Sequence, residues 1–246
     1  MNRVLSHPAP RDPANGKIGA MNTRPTVLVT GFDAFGGDPL NPSAQLAAAL
    51  DGHDLDGVRI VGACLPTVFG TSAQRLAELL ALHRPQLVLC TGLAGGRAAL
   101  SLERIAININ DARLPDNAGA QPIDTAVVPD GPAAYFSTLP IKAMRAAITA
   151  DTVPCEISQT AGTFVCNHVF YALMHALAAQ GGGVRGGFMH LPWLPAQGAP
   201  SLSLDQMVRG TIAGLRCALR TSHDVRVRSE EHTSELQSRQ YLVCRL

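Results

Sequence analysis

The chain has 246 residues, 46% hydrophobic and 16% charged, which supports one sizeable core and excludes a disordered or fibrous protein. Its 20 Lys+Arg against 19 Asp+Glu give a formal charge of +1 with no block of like charge, so nucleic acid and membrane surfaces are poor partners. Six cysteines (Cys64, Cys90, Cys155, Cys166, Cys217, Cys244) are too sparse for a disulfide scaffold and contain no CxxC pair for zinc, which fits a reducing cytoplasm.

At the N-terminus, residues 1 to 21 hold prolines, no periodic pattern and no signal-peptide apolar stretch, and Met21 stands just before the first strand-like run. They are expected to be a disordered extension. The first βα unit is Thr26 to Thr30 closed by Gly31, with a helix from Ser43 to Leu50 after Asn41-Pro42. Val58 to Cys64 reads as a strand, Ser72 to His83 as a helix with Leu76, Leu79 and Leu80 at helical spacing, and Gln86 to Cys90 as a strand ending at Thr91-Gly92. Arg104 to Ile109 places Ile105, Ile107 and Ile109 at alternate positions, the pattern of a strand with one buried face.

Asn110 to Pro132 is too breaker-rich and too long for an ordinary connection, so it is a functional loop or contains a small hairpin. A helix over 141 to 150 follows Pro140, then a strand Cys155 to Gln159, a helix Asn167 to Gln180, a strand Phe188 to Leu191 and a helix Ser203 to Leu219 opened by a Ser203-x-x-Gln206 capping box. The repeated order predicts an α/β three-layer αβα sandwich, a mostly parallel twisted sheet with helices on both faces, over residues 22 to 227. Residues 228 to 246 resemble the read-through of a sequencing adapter and are expected to be an artefactual or disordered tail, so His232 and Cys244 carry no chemistry.

Ligands of such sheets bind beyond the carboxyl ends of the strands, where four loops should converge: 31 to 37, 92 to 97, 160 to 168 and 190 to 193. The first has the spacing of a phosphate loop but Gly37-Asp38 where Lys and Ser or Thr are required, and neither Gly-rich loop has the dinucleotide pattern. Cys166 stands at a strand-to-helix turn, where free N–H groups and the helix macrodipole favour thiolate. The other cysteines read as packing residues.

A nucleophilic thiol needs a base, and the histidines on offer are His53, His83, His168, His175 and His190. His168 is about 200° round the helix from Cys166 and His175 follows on its stripe, so both read as packing or surface residues. His190 ends the next strand at the right edge. Glu103 is the best placed carboxylate to orient it, with Asp33 and Asp111 competing; alternatively Glu103 is a structural carboxylate paired with Arg104 or Arg113.

The chain also resembles the pyroglutamyl peptidase I (pyrrolidone carboxyl peptidase) family of cysteine peptidases over residues 27 to about 219. The matching stretches include Val29-Thr30-Gly31-Phe32-Asp33-Ala34-Phe35-Gly36-Gly37, Gly95-Gly96-Arg97, Glu103-Arg104-Ile105-Ala106-Ile107-Asn108, Pro115-Asp116-Asn117, Thr160 to His168, and Arg185 to Pro192. The resemblance implies hydrolysis of N-terminal pyroglutamyl residues by a triad of Glu103, Cys166 and His190, without metal or cofactor, in a cytoplasmic homotetramer. It also implies that Phe32 and Phe35 hold the lactam ring, with polar contacts from the backbone near the Cys at Phe164 and Val165. Leu93 stands where the family often has Gln, which leaves its backbone to serve. Arg97 adds positive potential or pairs with a surface carboxylate. The rival reading is a binding protein on the same scaffold without hydrolysis.

Overall fold

The computed structural model describes residues 24–226. The end segments expected to lie outside the fold, 1–21 and 228–246, fall outside the described residues, as do His232 and Cys244. In chain order the elements are β1 (Thr26–Phe32), α1 (Pro42–Leu50), β2 (Asp54–Leu55), β3 (Val58–Leu65), α2 (Thr71–His83), β4 (Leu87–Leu93) and β5 (Leu100–Glu103). There follow β6 (Ile105–Ile107), β7 (Ala134–Phe136), α3 (Ile141–Ala150), β8 (Cys155–Ser158), α4 (Val165–Ala179), β9 (Arg185–Leu191) and α5 (Leu204–Arg220).

One seven-stranded sheet has the order β2-β3-β1-β4-β9-β5-β8, and β6 and β7 form a separate antiparallel pair. The strands β3, β1, β4 and β9 are parallel. Strand β5 runs antiparallel to β9, and β8 is parallel to β5, so this edge runs against the central four. The sheet is therefore mixed as well as mostly parallel, and the end of β8 points away from the edge where β4 and β9 end. The segment 159–164 returns to that edge before α4 begins.

Both faces of the sheet are covered, so its strands are near-continuous apolar runs whose alternate residues serve two cores. Val27, Val29, Leu87, Leu89, Leu100, Leu102, Met189 and Leu191 meet α1, α3 and α5 through Leu46, Met144, Ile148, Met207 and Leu215. On the other face Leu28, Val88, Cys90 and Phe188 meet α2 and α4 through Leu76, Leu79, Val169, Phe170 and Leu173. Alternation then puts Ser101, Glu103 and His190 on the α2/α4 face, buried polar side chains in a largely apolar layer.

The predicted helices form within a few residues of their expected bounds, and Ser203 and Gln206 make the full capping box of α5. The strand expected over Arg104 to Ile109 is corrected. Its strand part is β6, Ala106 is its buried residue, and Ile105 and Ile107 are half-buried because β6 pairs with β7 at the flank of α4 instead of joining the sheet. The strand that enters the sheet is β5, just before it, buried at all four positions.

Candidate active site

Strand register brings the triad candidates together. His190 is the cross-strand partner of Ser101, and Glu103 is paired with Phe188, so Glu103 and His190 are diagonal neighbours on one face of an antiparallel pair. His190 Nδ1–H donates to Glu103 Oε1 at 2.7 Å. A carboxylate offers only lone pairs, so this bond fixes the proton on Nδ1 and leaves Nε2 as the basic nitrogen. Glu103 is fully buried and His190 is 4% exposed. The competing carboxylates are engaged or placed elsewhere. Asp33 Oδ1 accepts from the Thr67 backbone N–H at 2.7 Å and from Asn117 Nδ2 at 3.2 Å, and Asp111 lies on the cavity wall.

On the parallel side His190 is in register with Gly92. A side chain at Gly92 would place its Cβ 2.8 Å from Cys166 Sγ and 3.0 Å from the Phe188 ring, so the thiol lies directly over a position that only glycine leaves open. Cys166 is the second residue of α4, whose N-cap, Phe164, makes no side-chain cap bond. The first-turn N–H groups of an α-helix have no intrahelical partner, so those near the thiol are available to an anion.

The thiolate that this helix N-terminus favours is opposed by burial. Burial pushes the Cys166 thiol up to about 12, the Glu103 carboxylate acts in the same direction, and Arg97 and the cysteine's own backbone N–H oppose them. Burial holds Cys90 and Cys155 at about 12 as well.

Cys166 and His190 line one cavity of about 570 Å³ together with Phe35, Leu93, Phe164 and Trp193. The rings of Phe35 and Phe164 stand 6.0 Å apart. Phe32 does not line this cavity; it is 2% exposed in the layer beneath, against Phe188. Val165 is likewise fully buried, so only its backbone is near the thiol.

Sequence reasoning gave no role in the cavity to Trp193, Arg113 or Leu114, which also line it. Trp193 carried a usable signal, as the only tryptophan, just past the end of β9. A second cavity, of about 440 Å³ between α2 and α4, is lined by no nucleophile or general base. Among the described residues no group of three or more His, Cys, Asp or Glu could hold a metal ion, and no helix is long and apolar enough to cross a membrane.

The neighbours of Cys166 in the Cys166-Asn167-His168 run are structural. Asn167 donates from Nδ2 to the Ile107 and Ile109 carbonyls and accepts the Ile107 N–H on Oδ1, which ties α4 to β6. His168 is buried, not at the surface. Its Nε2 accepts the Gly70 N–H at 3.1 Å and its Nδ1 lies 2.9 Å from Asn110 Oδ1, so Nδ1 carries the proton, and burial lowers the ring's pKa to about 4. His175 bonds Tyr135 through Nδ1 at 2.9 Å, away from the cavity.

The loops around the cavity are fastened by polar side chains. Asn117 reaches Asp33 and the Ala34 carbonyl; Asp116 accepts from the backbone of Phe69, Ala118 and Ala120; Gln197 donates to Asp38.

Residues 25–221 match the family model described as pyroglutamyl peptidase. Among curated proteins, a pyrrolidone-carboxylate peptidase of Cupriavidus taiwanensis is 56% identical over 208 residues, covering 82% of this chain and 96% of the relative. Pyrrolidone-carboxylate peptidase 1 of Ralstonia nicotianae is 55% identical over 207 residues, with the same coverage of 82% and 96%. Among solved structures, pyroglutamyl peptidase I from Bacillus amyloliquefaciens superposes with a TM-score of 0.80 at 42% identity, covering 83% of this chain and 100% of the other.

Proposed function

The chain belongs to the pyroglutamyl peptidase family, and from that premise we propose that it removes N-terminal pyroglutamyl (5-oxoproline) residues from peptides by covalent thiol catalysis. The observation that carries this reading is the cavity shared by Cys166 and His190, with His190 bonded to the buried Glu103. Glu103 fixes the imidazole tautomer and stabilises the imidazolium when it forms. His190 Nε2 takes the Sγ proton as sulfur attacks the acyl carbon of the pyroglutamyl residue. Burial favours the protonated thiol, so the transfer accompanies the attack.

The uncapped first turn of α4 supplies N–H donors for the oxyanion. The imidazolium then protonates the leaving amine as the C–N bond breaks, and water, deprotonated by His190, frees pyroglutamate and restores the thiol. Phe35, Phe164, Leu93 and Trp193 give a flat, uncharged lactam apolar walls, and the backbone at Leu93, Phe164 and Val165 offers its polar contacts. A cytoplasmic location, supported by five free cysteines among the described residues, and a homotetrameric assembly complete the proposal.

The test compares hydrolysis of pyroglutamyl and prolyl aminocoumarin amides, which share a five-membered ring but differ in charge and in the lactam carbonyl. The proposal expects the prolyl amide to be cleaved roughly 10²-fold more slowly or worse. Equal cleavage would remove lactam recognition, and tight binding of pyroglutamyl peptides without turnover would favour the non-hydrolytic reading.

A further inference from the structure

The carboxylate that orients His190 has a second partner. Arg97 donates from one guanidinium nitrogen to Glu103 Oε1 at 2.8 Å, the same oxygen that accepts His190 Nδ1–H. Glu103 is fully buried, and its other oxygen, Oε2, has no hydrogen-bond partner among the described residues. A carboxylate removed from water needs a compensating charge, and leaving one uncompensated is far costlier than any exposed ion pair is worth. Arg104 does not provide that charge, since it bonds Gln159 instead.

Chain geometry explains how Arg97 gets there. It follows Gly95-Gly96, where Gly96 has a φ of +87° and a Cβ at Gly95 would lie 2.5 Å from the Trp193 ring, so this tight turn admits no side chains. From that turn the guanidinium, only 27% exposed, lies over β5, and its other terminal nitrogen makes a long 3.5 Å contact to the Thr160 carbonyl. Thr160 lies in the segment that leads into α4 and Cys166. One cation thus touches the general base's orienting carboxylate and the loop that delivers the nucleophile.

We propose that Arg97 is a positioning residue of the hydrolytic site, holding Glu103 Oε1 against His190 Nδ1 and acting on the reaction through that carboxylate. The assignment rests on the thiol-hydrolase reading above. The other charged or titratable groups around the site are Cys90 on β4, Glu156, which accepts from Ser101 Oγ at 2.6 Å, and Asp111 and Arg113 on the cavity wall. Among the described residues none of them bonds Glu103.

The experiment is a double-mutant cycle with Arg97→Gln, Glu103→Gln and the pair, with Arg97→Lys as the conservative variant. It reads kcat and KM on a pyroglutamyl amide, melting temperature, and the pH dependence of Cys166 alkylation by iodoacetamide. Arg97→Gln takes away a cation that lowers the Cys166 thiol pKa and leaves the carboxylate that raises it. Its alkylation profile should move to higher pH by about one unit. Its kcat should fall on the order of 10- to 100-fold, with KM moving less, and Arg97→Lys should recover part of the loss.

On the Glu103→Gln background the same substitution should change kcat little, because the carboxylate it acts through is gone. The double variant carries no unpaired buried charge, so it keeps the test decisive even if Arg97→Gln alone fails to fold. A lowered melting temperature with an unmoved alkylation profile, or an equal loss of kcat on both backgrounds, would overturn the proposal. Alkylation needs no pyroglutamyl substrate, so a wild-type protein that failed to cleave the amide would count against the substrate reading while leaving the Arg97 result readable.

Discussion

At the scale of single residues, one glycine and one carboxylate determine what the site can do. Gly92 is flanked by the thiol and the Phe188 ring at distances no Cβ tolerates. Gly92→Ala must therefore push Sγ away from His190 or move α4. We expect turnover to fall on the order of 10²-fold, since a misplacement of about 1 Å is enough for that. The overpacking should cost about 1–3 kcal/mol of stability. Steady-state kinetics and thermal unfolding of one preparation check both, and an alanine variant with wild-type turnover would show that the thiol does not react where it now rests.

His190 was legible because it lies at the end of a strand at the edge where such sheets bind ligands, and Cys166 because it opens a helix, although the strand before it ends at the opposite edge. Glu103 was legible as a carboxylate at the right place in the chain but not as a buried strand residue. Arg113 and Leu114 were not legible as walls, because the long 108–133 segment reaches the cavity only through tertiary packing. Arg97 read as a source of diffuse potential or a surface partner, since nothing local tells an arginine that the carboxylate six residues on will be buried.

At the scale of elements, the helices were readable and the short strands β2, β5 and β7 were not. Alternating isoleucines at 105, 107 and 109 suggested a buried strand face, yet β6 lies outside the main sheet with only Ala106 buried. β5, Leu100-Ser101-Leu102-Glu103, is only four residues long, and its polar alternate positions read as a solvent face although all four side chains are buried. Strand direction was also hidden. β8 precedes a helix like the others but runs against the central four, because β5 inserts antiparallel beside β9.

Helix α4 makes a prediction of its own through His168, which links it to the turns at Gly70 and Asn110. The ring's pKa is lowered from 6.5 to about 4 in the folded state, so between those values the unfolded chain binds more protons and stability falls as pH drops. Over about 2.5 units this group removes at most about 3 kcal/mol. Urea unfolding at pH 7, 5.5 and 4.5 should show His168→Gln less stable at pH 7 but flatter across the acid range. Parallel slopes for the two proteins would assign the titration to another group.

At the scale of the whole molecule, the sheet divides the labour between its faces. The face under α1, α3 and α5 is almost wholly apolar, with Thr91 bonded to the Thr30 carbonyl, whereas the face under α2 and α4 takes the ionisable Glu103 and His190, with Ser101, within its apolar layer. Burying these groups is tolerable because Glu103 and His190 bond each other, Arg97 compensates the carboxylate, and Ser101 bonds Glu156. The walls of the cavity come from after β1, β4, β8 and β9 and from 108–133, and Asp33, Asp116, Asn117 and Gln197 fasten these loops and the loop after β3 to one another.

The central claim is that this arrangement makes Cys166 the nucleophile toward a pyroglutamyl group, and covalent capture tests it most directly. The full chain is treated with pyroglutamyl chloromethyl ketone while activity is followed, and the labelled residue is mapped by mass spectrometry. The account predicts one equivalent on Cys166, activity lost in step with labelling, and much slower capture in His190→Ala. Labelling of the exposed Cys64 as activity disappears, or full activity with Cys166 alkylated, would contradict it.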